Sequence, residues 1–350
     1  MSSGFLSISR PFIALCAVLV TFKAHAQTST PIAPTTRSLA ESPFIPAPAL
    51  PGGIVLALYP PDSPLLKRER LHEAENYNST TGGLTPGGKV QSTLNIHNPS
   101  IEVHLAPGRT NTGAAIIVIA GGGHKILWIG PEGHDFVPYF ARHDITTIIL
   151  RHRLRVDGYD AKVDAVNDAF QAVRVVRAHA VQWKLDPAKI GLVGFSAGAE
   201  LSAPAALFFD AFTANNQSAN DPLAQISARP DFVGLIYPGP TPFAKGATPA
   251  IPANVPPSFI ASAGSGDRVH AIWAEEYFSA MLRRGVPNLE MHIYGRGGHG
   301  GGLKARDGIP FGTWPERFLD WFRDLGFLGK PGIPTKATVE SAAFAVKPAL

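Results

Sequence analysis

From residue 101 onward, apolar and polar positions alternate between two periods, two residues and about 3.6, and this predicts strands and helices in turn. Residues 101–105 alternate apolar and polar, as a strand with one wetted face does, while residues 114–120 are continuously apolar, as a strand covered on both faces is, and residues 145–150 read as the next buried strand. Further strands are expected at 189–195, 232–237, 258–263 and 289–294, with a short first strand at 54–59. Helical spacing predicts helices over 136–143, 163–183, 197–209, 270–284 and 314–325. In the long second helix Val163, Val166, Phe170, Val173, Val176 and Val181 fall along one face. In the last, Trp314, Phe318, Trp321, Phe322 and Leu325 form a core stripe. Strands alternating with helices imply a mostly parallel sheet with helices on both faces. No repeat and no second core is evident, so residues 53–328 are read as one catalytic domain.

Outside that domain the pattern breaks. Residues 1–26 carry Arg10, then a mostly apolar run from Pro11 to Phe22, then Ala24, His25 and Ala26. This is the layout of an export signal cleaved before Gln27, and the apolar run is short for a membrane span. Residues 27–52 are rich in Pro, Thr, Ser and Ala and read as a linker or strap. Residues 60–92 read as loop, 214–230 as a polar loop, 238–257 as a proline-rich insertion suited to a lid or rim, and 329–350 as a tail. The mature chain is expected to be exported, to the periplasm or beyond, with no stable membrane insertion.

Composition narrows the chemistry. Of 350 residues 45% are apolar and 17% charged, enough for a large core. Signal cleavage removes Arg10 and Lys23 and no acidic residue, which lowers the formal net charge from +4 to +2. No basic run longer than Lys67-Arg68-Glu69-Arg70 exists, so nucleic acid is not an expected partner. The one cysteine, Cys16, lies in the signal, which leaves no thiol nucleophile and no cysteine-based metal site. No cofactor and no metal are expected. His124, His134 and Glu200 match no metal-ligand spacing.

The stretch Ile190-Gly191-Leu192-Val193-Gly194-Phe195-Ser196-Ala197-Gly198 carries the reaction. An apolar strand runs into a Gly-x-Ser-x-Gly turn and out into a helix, the layout of a nucleophile elbow, in which a strained backbone exposes the serine hydroxyl. A serine needs a base, and the base needs an orienting carboxylate. In this layout both follow later in the chain, in the order acid then histidine. The expected strand 258–263 runs into Gly264-Ser265-Gly266-Asp267, and the strand 289–294 into Gly295-Arg296-Gly297-Gly298-His299. Ser196, Asp267 and His299 are therefore the expected catalytic residues. Asp231 precedes a strand, His292 lies within one, and His270 falls at a helix start. Upstream, the strand ending in Ala120-Gly121-Gly122-Gly123-His124 presents backbone N–H groups free of side chains, so Gly122 and Gly123, with Ala197, are the expected oxyanion donors. His124, Glu132 and Glu200 add polar groups near the mouth and are expected to touch substrate.

The pieces Ala120-Gly121-Gly122-Gly123-His124, Glu132-Gly133, Leu150-Arg151-His152-Arg153-Leu154, Asp186-Pro187, Gly194-Phe195-Ser196-Ala197-Gly198 and Gly297-Gly298-His299-Gly300 resemble exported bacterial α/β-hydrolases of the acetylxylan-esterase and feruloyl-esterase-like kind. The resemblance covers roughly residues 54–327. It implies an α/β-hydrolase fold and a Ser-Asp-His carboxylesterase acting on acyl groups of plant polysaccharides or on small acyl esters. Relatives commonly have tyrosine where His124 stands, Gly-His where Ala199-Glu200 stands, and Gly-Phe-Gly where Gly300-Gly301-Gly302 stands, all beside the substrate pocket. The competing readings are an exported peptidase of the same fold, for which 350 residues leave no room for a propeller, and a non-catalytic carbohydrate-binding homologue.

Overall fold

Continuous apolar runs form the centre of the sheet because each strand there must satisfy two cores at once. In the computed structural model, β5 (Ala115–Ile119) sends Ala115, Ile117 and Ile119 to one core and Ile116 and Val118 to the other. The same division holds for β7 (Ile190–Phe195), with Ile190 and Leu192 on one side and Val193 and Phe195 on the other. The described residues are 42–80, 89–110, 112–215, 221–303, 308–329, 336, 339 and 340. The expected signal, residues 27–41 of the expected linker, and the expected tail beyond 329 apart from those three positions lie outside them.

Eight strands make the main sheet. Its order is β1 (Ile54–Ala57), β4 (Ser100–His104), β6 (Thr146–Arg151), β5, β7, β8 (Val233–Ile236), β9 (Ser258–Ser265) and β10 (Glu290–Arg296). From β6 to β10 every neighbouring pair is parallel, whereas β1 with β4 and β4 with β6 are antiparallel. One face is covered by α2 (Val166–Ala178), α3 (Ala199–Ala205) and α5 (Arg268–Arg283), the other by α1 (Phe136–Ala141) and α6 (Trp314–Asp324). The α6 stripe of Trp314, Phe318, Trp321 and Phe322 is buried, as its spacing predicts. No described helix is long and apolar enough to cross a membrane.

Four regions depart from the sequence reading. The segment 60–92 contains a two-stranded hairpin, β2 (Asn76–Thr80) with β3 (Lys89–Leu94), whose polar sequences carry no alternation. The hairpin is held by docking: Thr93 and Leu127 exchange backbone hydrogen bonds of 3.0 and 2.8 Å. The expected helix 163–183 contracts to α2, because a wide turn at Ala161–Ala165 precedes it and the chain leaves helical geometry at His179. Val163 and Val181 are accordingly exposed, Val181 by 93%. The expected helix 197–209 is divided. Pro204 has no N–H to give to the preceding turn, α3 stops at Ala205, and α4 (Phe209–Asn215) follows. Last, β4 has no wetted face, since all five of its residues are buried. Glu102 and His104 turn under the strap that precedes β1, where Glu102 accepts the N–H groups of Ala49 and Leu50.

Candidate active site

At the end of β7 the chain turns so tightly that Ser196 adopts φ +51°. Gly198 permits this: a Cβ there would lie 2.0 Å from the carbonyl oxygen of Ile119 on β5. The carbonyl of Ser196 accepts the N–H of Gly239, 3.2 Å away in the loop after β8. A strained, tethered serine at a strand-to-helix turn holds its hydroxyl in one place.

The loop after β10 brings His299 to that hydroxyl, with Nε2 2.8 Å from Ser196 Oγ. Its Nδ1 lies 2.9 Å from Oδ2 of Asp267, the buried residue that immediately precedes α5. A carboxylate only accepts, so Nδ1 carries the hydrogen and Nε2 is left to accept the serine proton. The edge of His299 rests on Tyr237, with ring centroids 5.1 Å apart. The three residues picked out by order along the chain are thus within hydrogen-bond reach of one another.

A residue passed over in the sequence completes this group. His270, in the first turn of α5, places Nδ1 2.5 Å from the other Asp267 oxygen, Oδ1, and stacks on His299 with centroids 3.8 Å apart. Burial, then the neighbouring His299, hold its pKa below the ordinary imidazole value. Its signal was available, since a histidine three residues after a helix-initial aspartate shares that helix's first turn. Asp267, His270 and His299 also offer metal-ligand atoms within 4.8 Å of one another, though both Nδ1 atoms already serve the carboxylate. His134, by contrast, lies beside Glu102 and forms no such cluster with His124 and Glu200 among the described residues.

The glycine loop after β5 packs against the elbow, and a Cβ on Gly121 would come 2.9 Å from Ser196 Cβ. Gly122 has φ +129° and could carry no side chain, because a Cβ would meet the Ile126 carbonyl oxygen at 2.0 Å. Among the described residues the N–H groups of Gly122 and Gly123 donate to no backbone carbonyl. Ala197 follows the serine at the start of the outgoing turn.

The expected substrate contacts separate into two kinds. His124 Nε2 and Glu200 Oε2 are 3.2 Å apart, and both residues line a cavity of about 960 Å³ beside the elbow. Its walls include Phe170, Leu201, Phe208 and Phe212, and Pro240 and Pro242 of the segment 238–257 form part of its rim. Glu132 is a correction. It is buried behind the loop, where Oε2 accepts the Gly121 N–H at 2.7 Å and Oε1 accepts the Tyr237 hydroxyl at 2.8 Å. It braces the loop and does not meet the substrate.

The family model described as BD-FAE matches residues 101–236. Among solved structures, an acetyl ester-xyloside bifunctional hydrolase from Caldicellulosiruptor lactoaceticus is similar at 26% identity and a TM-score of 0.58, over 66% of this chain and 90% of that one. Thermogutta terrifontis esterase 2 is similar in fold, with 21% identity and a TM-score of 0.55 over 68% of this chain and 91% of that one. The chain has the α/β-hydrolase fold. The chain is 26% identical over 283 residues to an acetylxylan esterase of Xylanibacter ruminicola, covering 73% of this chain and 51% of that protein. It is 30% identical over 124 residues to endo-1,4-beta-xylanase B of Butyrivibrio fibrisolvens, covering 35% of this chain and 19% of that one. The chain therefore spans about half the length of the acetylxylan esterase and about a fifth of the xylanase. The family-level resemblance read from the motifs agrees with these relatives.

Proposed function

We propose that this protein is a serine carboxylesterase, exported from the cell, that removes acetyl or other short acyl groups from plant polysaccharides or their oligosaccharides. The observation that carries the proposal is the hydrogen-bonded line from Ser196 through His299 to Asp267. His299 Nε2 takes the Ser196 proton as Oγ attacks the ester carbonyl. The oxyanion is held by the N–H groups of Gly122, Gly123 and Ala197, and Asp267 steadies the imidazolium. Collapse expels the alcohol, which takes the proton from His299 and leaves an acyl-serine. Water then repeats the sequence and releases the acid. The acetylxylan esterase and the acetyl ester-xyloside hydrolase among the relatives support the polysaccharide ester as substrate. The cavity is far larger than an acetyl group, which suits a sugar or oligosaccharide on the alcohol side.

Ser196→Ala is expected to lower kcat on p-nitrophenyl acetate by at least about 10³-fold while leaving the circular dichroism spectrum unchanged. Retained turnover would overturn the assignment. Acetylated xylan, acetylated xylo-oligosaccharides, methyl ferulate and a peptide amide, compared with the wild-type protein, identify the preferred substrate.

A further inference from the structure

Asp267 serves two imidazoles, and the line from serine to carboxylate uses only one. The carboxylate is buried, so each of its oxygens needs a donor. His299 Nδ1 satisfies Oδ2 and His270 Nδ1 satisfies Oδ1. Asp267 immediately precedes the 16-residue helix α5 yet makes no side-chain cap to it. Its orientation is therefore fixed from two sides by imidazoles, one of them on the first turn of the helix itself.

We propose that His270 is a positioning residue for the esterase reaction: it holds the Asp267 carboxylate in line with His299 and lies flat on the His299 ring. The inference rests on the serine-esterase reading above. Without His270, the buried Oδ1 loses its donor, and the carboxylate can turn about its side-chain bonds toward other partners. The Nδ1 hydrogen of His299 then loses its fixed acceptor, and Nε2 is no longer held toward Ser196. The stacking distance of 3.8 Å adds an electrostatic role. A neutral imidazole lying over His299 tolerates the positive charge that forms there, whereas a protonated one opposes it. The groups facing His270 are Asp267 and Trp273 on its own helix, His299 from the loop after β10, and Glu200 from α3, whose charge acts on it more weakly.

Two substitutions separate the hydrogen bond from the ring. His270→Phe keeps an aromatic face on His299 and removes the donor. His270→Asn keeps a short N–H donor and removes the ring. The readouts are kcat, KM and the pH profile of kcat/KM on p-nitrophenyl acetate, with thermal unfolding measured on the same samples and Ser196→Ala run alongside. His270→Phe is expected to lower kcat by about 10- to 100-fold with KM within about twofold. The acid limb of its profile should move to lower pH, because a carboxylate that has turned away from His299 stabilises its imidazolium less. His270→Asn should recover part of the lost kcat. The proposal is overturned if His270→Phe keeps wild-type kcat and acid limb while Ser196→Ala is inactive. It is also overturned if both variants lose activity only in step with a lowered unfolding temperature and an unmoved acid limb. An active Ser196→Ala would overturn the esterase reading and this inference with it.

Discussion

The molecule contains two buried carboxylates that each gather two histidines, and they are put to opposite uses. At the antiparallel side of the sheet, Glu102 lies within reach of His104 at 2.8 Å and His134 at 3.6 Å, hydrogen-bonds Arg151, and accepts the N–H groups of the strap. At the parallel side, Asp267 holds His270 and His299. Glu102 is fully buried and has a permanent cation beside it, so its charge is already answered and nothing mobile reaches it. Asp267 has imidazole hydrogens but, among the described residues, no guanidinium or ammonium paired with it, and His299 is 36% exposed with its far nitrogen on Ser196. Its charge is therefore available to a proton arriving on His299 during reaction. One carboxylate with two imidazoles makes a structural clamp where an arginine completes the group and, in the reaction proposed above, a proton relay where a serine does.

If that contrast holds, the largest functional effect comes from removing the uncompensated charge. Asp267→Asn keeps the size and most of the packing, but its amide can donate toward His299 and so favours the tautomer with the hydrogen on Nε2, which cannot accept from Ser196. The expected loss in kcat is about 10⁴-fold, read with a p-nitrophenyl ester at saturating substrate, with little change in unfolding temperature. A loss under tenfold would show that Asp267 is not the orienting acid.

Glu102→Gln tests the other side and should reverse the pattern. Taking the charge from the carboxylate that hydrogen-bonds Arg151, and leaving it only the buried Glu75 at 3.7 Å, is expected to cost about 3–5 kcal/mol of stability in denaturant unfolding, while the variant that remains folded keeps its kcat. Burial works against the Glu102 carboxylate, but the His104 hydrogen bond, contact with His134 and the Arg151 charge outweigh it and hold its pKa below the ordinary value of 4.5. A carboxyl depressed in the folded state contributes its stability above the unfolded pKa, and that stability is lost as pH falls through the folded one. Wild-type stability should thus decline below about pH 4.5 more steeply than that of Glu102→Gln. Parallel curves would remove Glu102 from the account of acid stability.

The contrast also explains what could be read in the sequence. The centre of the parallel half was legible because burial on both faces writes itself as apolar runs at β5 and β7, and because Ser196, Asp267 and His299 each stand in a glycine-rich turn just after a strand. The antiparallel half was not. Glu102 and His104 look like the wetted positions of an alternating strand, and only the strap and Arg151, 49 residues away, make them interior. The β2–β3 hairpin has no apolar period of its own and depends on docking to Leu127. His270 was visible as a helix-start histidine, but its second-oxygen contact needs the folded loop after β10. Sequence spacing reports a residue's periodic environment well and its long-range partner hardly at all.

Glu132 is the case where that limit bears on the reaction, and it gives the smallest predicted effect. Its carboxylate spans from the Gly121 N–H to the Tyr237 hydroxyl, so it links the loop carrying Gly122 and Gly123 to the residue that His299 rests against. Both partners are donors, and a carboxylate can accept from both at once, whereas Glu132→Gln must turn an NH₂ toward one of them. One buried contact is then donor against donor, and the loop shifts away from its set position. Since a single oxyanion donor accounts for about 10²–10³ in rate, a partial displacement of two should lower kcat by about 10- to 100-fold with KM little altered. Tyr237→Phe, which removes one donor and leaves the Gly121 contact intact, should lose less than tenfold. Equal losses in the two variants would mean that the bridge acts through Tyr237 and His299, and not through the glycine loop.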